Sequence, residues 1–218
     1  MPSAPPDNLH DLLATMKRAA AALRAADVEF MVGGGIAIWA RGGPPTDHDV
    51  DFLVREDDAE RALEALVLVG MHAERPPEDW LLKAWDESIL VDLIFRPAGM
   101  IVDDEHFGRA TQLEVSALTV PVASIDDVLV TKLLALREQE LDYRPLLEIA
   151  RALREQIDWT EVAGRTRSSP FARAFFTMVD GLGVSPRDPK PEGDVDGEPP
   201  RRPAVTPSPR AARPLANR

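Results

Sequence analysis

The chain has 218 residues, with 37 acidic side chains against 25 lysines and arginines, a formal net charge of -12 and a pI of about 4.8. That balance excludes a broad basic nucleic-acid surface, and the absence of cysteine excludes disulfides, thiolate catalysis and Cys-ligated zinc. No run reaches the roughly 18 apolar residues a membrane helix needs, and the N-terminus lacks the basic and apolar regions of a signal peptide, so a cytoplasmic protein with one sizeable core or two small ones is expected.

Helix and strand signals alternate along the first half. Asp7 can cap a helix that carries Leu9, Leu12, Leu13, Met16, Ala20 and Leu23 on one face. Residues 28–32 are strand-like, and Gly33-Gly34-Gly35 then opens a short helix through Ile36, Ile38 and Trp39. A loop at Gly42-Gly43-Pro44-Pro45 leads to a second strand over 49–54. Asp57 or Asp58 caps a helix ending at Gly70, and 80–85 with 89–95 form a hairpin around Asp86-Glu87-Ser88. Ser124 to Asp127 resembles a capping box, with Asp in place of Glu, before an apolar helix over 128–136. Helices over 143–156, 159–166 and 170–182 follow.

The tail from Ser185 holds 9 of the 20 prolines and, as large apolar residues, only Val195, Val205 and Leu215. It cannot offset its ordering entropy and is expected to be disordered. Its first half is acidic and its second basic, which suits a linker better than a nucleic-acid arm. The expected architecture is α+β: a mixed sheet with flanking helices over 1–122, a helical region over 123–184, and a Pro-rich tail over 185–218.

Asp49 and Asp51 interrupt an otherwise apolar strand, Asp49-Val50-Asp51-Phe52-Leu53-Val54. Residues i and i+2 of a strand share a face, so two carboxylates project side by side. Burying them unpaired costs several kcal/mol or forces one to take a proton; a divalent cation removes the conflict. A third acid, Asp92, is flanked by three apolar residues on each side. A structural ion pair to Arg96 or Lys83 is the plainer account of it. The upstream glycine turn, feeding a helix, is a place to seat phosphate. A dinucleotide fingerprint starting at Gly33 fails at Ile38, and a calcium loop starting at Asp47 fails at Phe52.

Gly34-Gly35-Ile36-Ala37, Thr46 and the Asp49–Val54 strand together resemble the signature of the nucleotidyltransferase (polymerase-β-like) superfamily, and Asp92 matches its third acid. Residues 124–135 resemble the helix that follows in the branch related to AbiEii-type toxin nucleotidyltransferases, whose lysine, here Lys132, faces the nucleotide phosphates. The threonine stands one residue further upstream than in that branch, because Asp47 and His48 intervene, and the downstream Arg-x-x-Asp is replaced by the wider pair Arg137 and Asp142. The resemblance implies a metal-dependent enzyme that moves NMP from an NTP to an acceptor hydroxyl and releases pyrophosphate. Asp49, Asp51 and Asp92 would hold two Mg²⁺ ions, with Mn²⁺ as a substitute, and would be catalytic. Gly34, Gly35, Lys132 and Lys83 would bind the nucleotide. The acceptor stays open between RNA or a tRNA end, a protein, and a small molecule of the antibiotic kind. A toxin–antitoxin component is one biological setting, with a partner protein; a non-catalytic nucleotide-binding antitoxin or regulatory module is the alternative. Trp80, Trp85 and Phe95 suit core packing better than base stacking.

Overall fold

The computed structural model describes residues 7–46 and 48–185, with side chains from Leu9 onward. The Asp7 cap, Asp47 and the tail beyond Ser185 lie outside the described residues. The described part belongs to one compact unit.

In chain order the elements are α1 (Asp7–Ala25), β1 (Phe30–Val32), α2 (Gly34–Ala40), β2 (Asp49–Val54), α3 (Ala59–Leu68), β3 (His72–Glu74), β4 (Leu81–Asp86), β5 (Ile89–Ile94), α4 (Asp104–Arg109), β6 (Thr111–Val115), β7 (Leu118–Val122), α5 (Ile125–Ala135), α6 (Arg144–Leu153), α7 (Trp159–Arg165) and α8 (Pro170–Gly181). The strands form one mixed sheet in the order β3-β4-β5-β2-β1-β7-β6. β1 runs antiparallel to β2 and parallel to β7, while β2 and β5 are parallel.

Strand alternation divides the sheet chemically. Val50, Phe52, Val54, Val91 and Leu93 are fully buried on one face, against which α1 and α3 pack. The apolar stripe of α1 is buried as its spacing predicts, each of its six residues 5% exposed or less. Phe30 meets Phe52 edge to face at 5.3 Å, a geometry that aromatic quadrupoles favour. Burying a side chain of this size contributes roughly 1.5–3 kcal/mol. The other face carries Asp49, Asp51 and Leu53 on β2 and, in register beside them, Leu90, Asp92 and Ile94 on β5.

α5 is apolar nearly all round, with Ile125, Val128, Leu129, Val130 and Leu133 buried. A helix of that composition must be covered on several sides, and α2, α6, α7, α8 and the turn at Pro97–Gly99 all contact it. Ser124 caps it by accepting from Asp127 N–H at 3.0 Å. The return half of the expected capping box differs: the Asp127 carboxylate accepts from the Ser124 hydroxyl and from two arginines instead. Asp58 precedes α3 without a side-chain cap and pairs with Arg61 at 2.7 Å. Asp86, read from the sequence as a turn residue, ends β4 and ties it to α1 through Thr15 and Arg18. Among the described residues no helix is long and apolar enough to cross a membrane.

Candidate active site

The acids converge because two geometric rules act together. Alternation puts Asp49 and Asp51 on one face of β2. The parallel register of β2 and β5 then sets Asp92 directly beside Asp51. One carboxylate oxygen from each of the three lies within 4.8 Å of the others, and these oxygens are of the hard type that Mg²⁺ or Mn²⁺ takes.

The trio is only partly compensated, by Lys83 beside Asp92 and Lys132 near Asp51. Asp92 is 8% exposed, and its Oδ1 is buried without a hydrogen-bond partner. Burial pushes the Asp92 carboxyl up to about 6; Lys83, its cross-strand neighbour, works against the rise, and Asp49 and Glu74 add to it. Asp51 is pushed up to about 7, chiefly by burial and then by the charges of Asp49 and Asp92, while Lys132 and the Gly35 N–H work against the rise. Arg96, considered above as a partner for Asp92, is engaged with Glu56 instead.

The glycine turn lies directly against this cluster. Gly33 N–H donates to the Asp51 carbonyl at 2.9 Å. Gly34 has φ +51, and a Cβ there would stand 1.5 Å from Asp51 Oδ2. Only glycine both adopts that backbone readily and leaves room for the carboxylate. A Cβ on Gly35 would stand 2.3 Å from the hydroxyl of Thr46, so the threonine of the motif braces the turn. The Gly35 N–H is directed at Asp51.

Across from the sheet, α5 brings Lys132 to the same place. Gly34, Asp51, Leu53, Thr131 and Lys132 line one cavity of about 760 Å³, within the size range of small-molecule sites. Lys83 is not among its lining residues; it lies beside Asp92 in the sheet. Trp80, 39% exposed, also lines the cavity, whereas Phe95 is core and the Trp85 indole donates to Glu74 at 2.6 Å.

A family model described as "Nucleotidyl transferase of unknown function (DUF2204)" matches residues 12–166, a span that includes the glycine turn, all three acids and Lys132. The chain belongs to this family. It is therefore a nucleotidyltransferase by family, and its fold is that of the superfamily. The crystal structure of ANT(2")-Ia in complex with adenylyl-2"-tobramycin is similar at 13% identity and TM-score 0.57, covering 75% of this chain and 98% of that one. The solution structure of the antibiotic-resistance factor ANT(2'')-Ia gives 14% identity and the same TM-score, covering 80% and 97%. An antigenic nucleotidyltransferase-like protein from Paracoccidioides brasiliensis is similar at 15% identity and TM-score 0.49, covering 83% and 94%. At these identities the likeness concerns the fold. No curated protein matches the chain.

Sequence reasoning missed a second polar cluster in this nucleotidyltransferase. Asp127, 4% exposed, accepts from Arg109 at 2.9 and 3.0 Å and from Ser124 at 2.8 Å, and pairs with Arg165 at 2.7 Å. The clamp joins α4, α5 and α7 and so fixes the helix that carries Lys132. These hydrogen bonds hold the Asp127 carboxyl below its ordinary range although burial alone would raise it. Ser124 is local to Asp127, but Arg109 and Arg165 are 18 and 38 residues away, so no local pattern announces them.

Proposed function

We propose that the chain transfers NMP from an NTP to an acceptor hydroxyl in a metal-dependent reaction at Asp49, Asp51 and Asp92. The observation that carries this reading is the convergence of three partly or fully buried carboxylates, one with an orphaned oxygen, against a glycine turn that only glycine can make. Such a site fits a divalent cation because Lys83 and Lys132 offset its charge only in part: the Asp51 and Asp92 carboxyls stay raised. Mg²⁺ held by the trio would neutralise the polyphosphate and polarise the reacting oxygens. Lys132, which lines the same cavity as Asp51, would offset charge on departing pyrophosphate. Asp92, beside the reacting oxygens, would take the proton of the attacking hydroxyl. The acceptor oxygen bonds to the α-phosphorus as the bond from that phosphorus to the oxygen bridging the α- and β-phosphates breaks. Gly34, by lacking a side chain, lets the Asp51 carboxylate lie against the turn, so that phosphate bound at the turn would sit beside the metal ligands. The Gly35 N–H, directed at Asp51, would steady that carboxylate next to the phosphates.

The formal charge of -12 repels a polyanionic acceptor, which favours a small or cationic molecule over RNA. Incubating the protein with each labelled NTP, Mg²⁺, and in turn total RNA, a protein extract and a panel of aminoglycosides and other polyols tests the reading. Label should enter one class, require Mg²⁺ or Mn²⁺, and vanish with Asp49→Ala. Transfer that persists in excess chelator would refute the metal roles. A toxin would also arrest growth on expression, with relief by the same substitution; an antitoxin would neutralise a co-expressed partner regardless of it.

A further inference from the structure

Among the described residues, two buried side-chain polar atoms lack a hydrogen-bond partner: Asp92 Oδ1 and His106 Nε2. The first belongs to the acidic trio. The second has no role in the reaction so far described. Yet His106, on α4, lines the same cavity as Gly34, Asp51 and Lys132. Its other ring nitrogen, Nδ1, lies 2.7 Å from Asp103 Oδ1. The Asp103 N–H also reaches Nδ1, at 3.4 Å, but the shorter carboxylate contact dominates and calls for a proton on Nδ1. Asp103 Oδ1 is itself fixed by the N–H groups of Glu105 and His106. The ring is therefore held in one orientation, and in the neutral imidazole Nε2 is a hydrogen-bond acceptor.

Which part of a ligand would meet it follows from the cavity. Phosphate oxygens are acceptors and mismatch Nε2 of the neutral ring, whereas a charged ring would donate from Nε2; the tripolyphosphate arm of the test below separates the two. The polyphosphate position is at Gly34, Asp51 and Lys132. The wall also carries charged groups, among them Arg96, Arg137 and Glu140, but Leu53, Pro97 and Val128 give it an apolar stretch that suits a base or ribose. We infer that His106, oriented by Asp103, anchors the nucleoside end of the bound NTP, its Nε2 accepting a hydrogen bond from an N–H of the base or an O–H of the ribose.

This inference rests on the nucleotidyltransferase site proposed above, and the test separates the two. Calorimetric titration in Mg²⁺ would compare non-hydrolysable analogues of the four NTPs with inorganic tripolyphosphate, on wild type, His106→Leu and His106→Gln. Loss of one well-formed hydrogen bond should weaken analogue binding about tenfold in His106→Leu and leave tripolyphosphate within about twofold. His106→Gln, which keeps an acceptor, should recover part of the loss. Weakening of all four analogues alike assigns the ribose; weakening of one or two assigns the base edge. In the wild-type chain the ¹⁵N resonance of His106 Nε2 should move on adding the analogue and stay put on adding tripolyphosphate, a readout that needs no variant to fold. An unmoved resonance, unchanged analogue affinity, equal loss of tripolyphosphate, or an effect confined to the acceptor's KM would overturn the inference. Wild type binding neither ligand would instead defeat the underlying nucleotide site.

Discussion

Two groups of buried carboxylates in this protein are opposites. Asp127 is surrounded by Arg109, Arg165 and Ser124, and its carboxyl is held below the ordinary range. Asp51, half-buried, and Asp92, buried, face other acids, and theirs are pushed up to about 7 and about 6, by burial first, with neighbouring carboxylates adding to the rise and Lys132 and Lys83 only partly opposing it. The residue type is the same; the surroundings decide the role. A carboxylate whose charge the protein itself balances holds helices together. Carboxylates left unbalanced weaken the protein unless something from outside supplies the charge, which is the mark of a binding site rather than of scaffolding.

The contrast can be broken most directly by removing the acids. Asp49→Ala or Asp51→Ala should reduce nucleotidyl transfer by at least about 10³-fold, with circular dichroism and gel filtration unchanged. Asp127→Ala should do the reverse, leaving Arg109 and Arg165 facing a buried gap. Denaturant unfolding should show a loss of roughly 3 kcal/mol, with transfer per folded molecule falling much less than in the trio variants. Lys132→Ala should lie between, lowering kcat by about 10²-fold without changing the unfolding midpoint appreciably.

Stability against pH sharpens the comparison further. Asp51 and Asp92 bind protons more tightly folded than unfolded, so metal-free stability should fall as pH rises from about 4 toward about 7. Asp127 contributes the opposite slope: its stabilisation is present above the ordinary carboxylate range and is lost as the pH drops through its lowered value. Asp51→Asn should therefore stabilise the metal-free protein at neutral pH by on the order of 1 kcal/mol and flatten its decline between pH 4 and 7. A destabilised Asp51→Asn would mean that the trio is balanced internally.

How much could be read in advance followed from the range of the interactions involved. The acids and glycines were legible because a strand's two-residue repeat and a turn's backbone demands are local. The apolar helices declared themselves by their spacing, and the β4–β5 hairpin lay within a residue or two of its expected bounds. The β6–β7 hairpin was not legible: its turn at Ser116-Ala117 uses positive φ at residues other than glycine, so the usual turn chemistry is missing, and β6 is largely exposed. The short α4 escaped for want of an apolar repeat, and with it went His106 and the Arg109–Asp127 pair. The Arg165–Asp127 contact depends on α5–α7 packing that no local window contains. Residues 128–136 did suggest a buried helix, but not that its first turn would carry a clamp.

The central claim is that Asp49, Asp51 and Asp92 form a cation site. Titration of the wild-type protein with Mn²⁺, followed by electron paramagnetic resonance, tests it without reference to any acceptor or product. Saturable binding that tightens as the pH is raised from 5 to 8, is displaced by Mg²⁺ and disappears in Asp51→Asn is the predicted result. Identical Mn²⁺ binding by wild type and Asp51→Asn would contradict it.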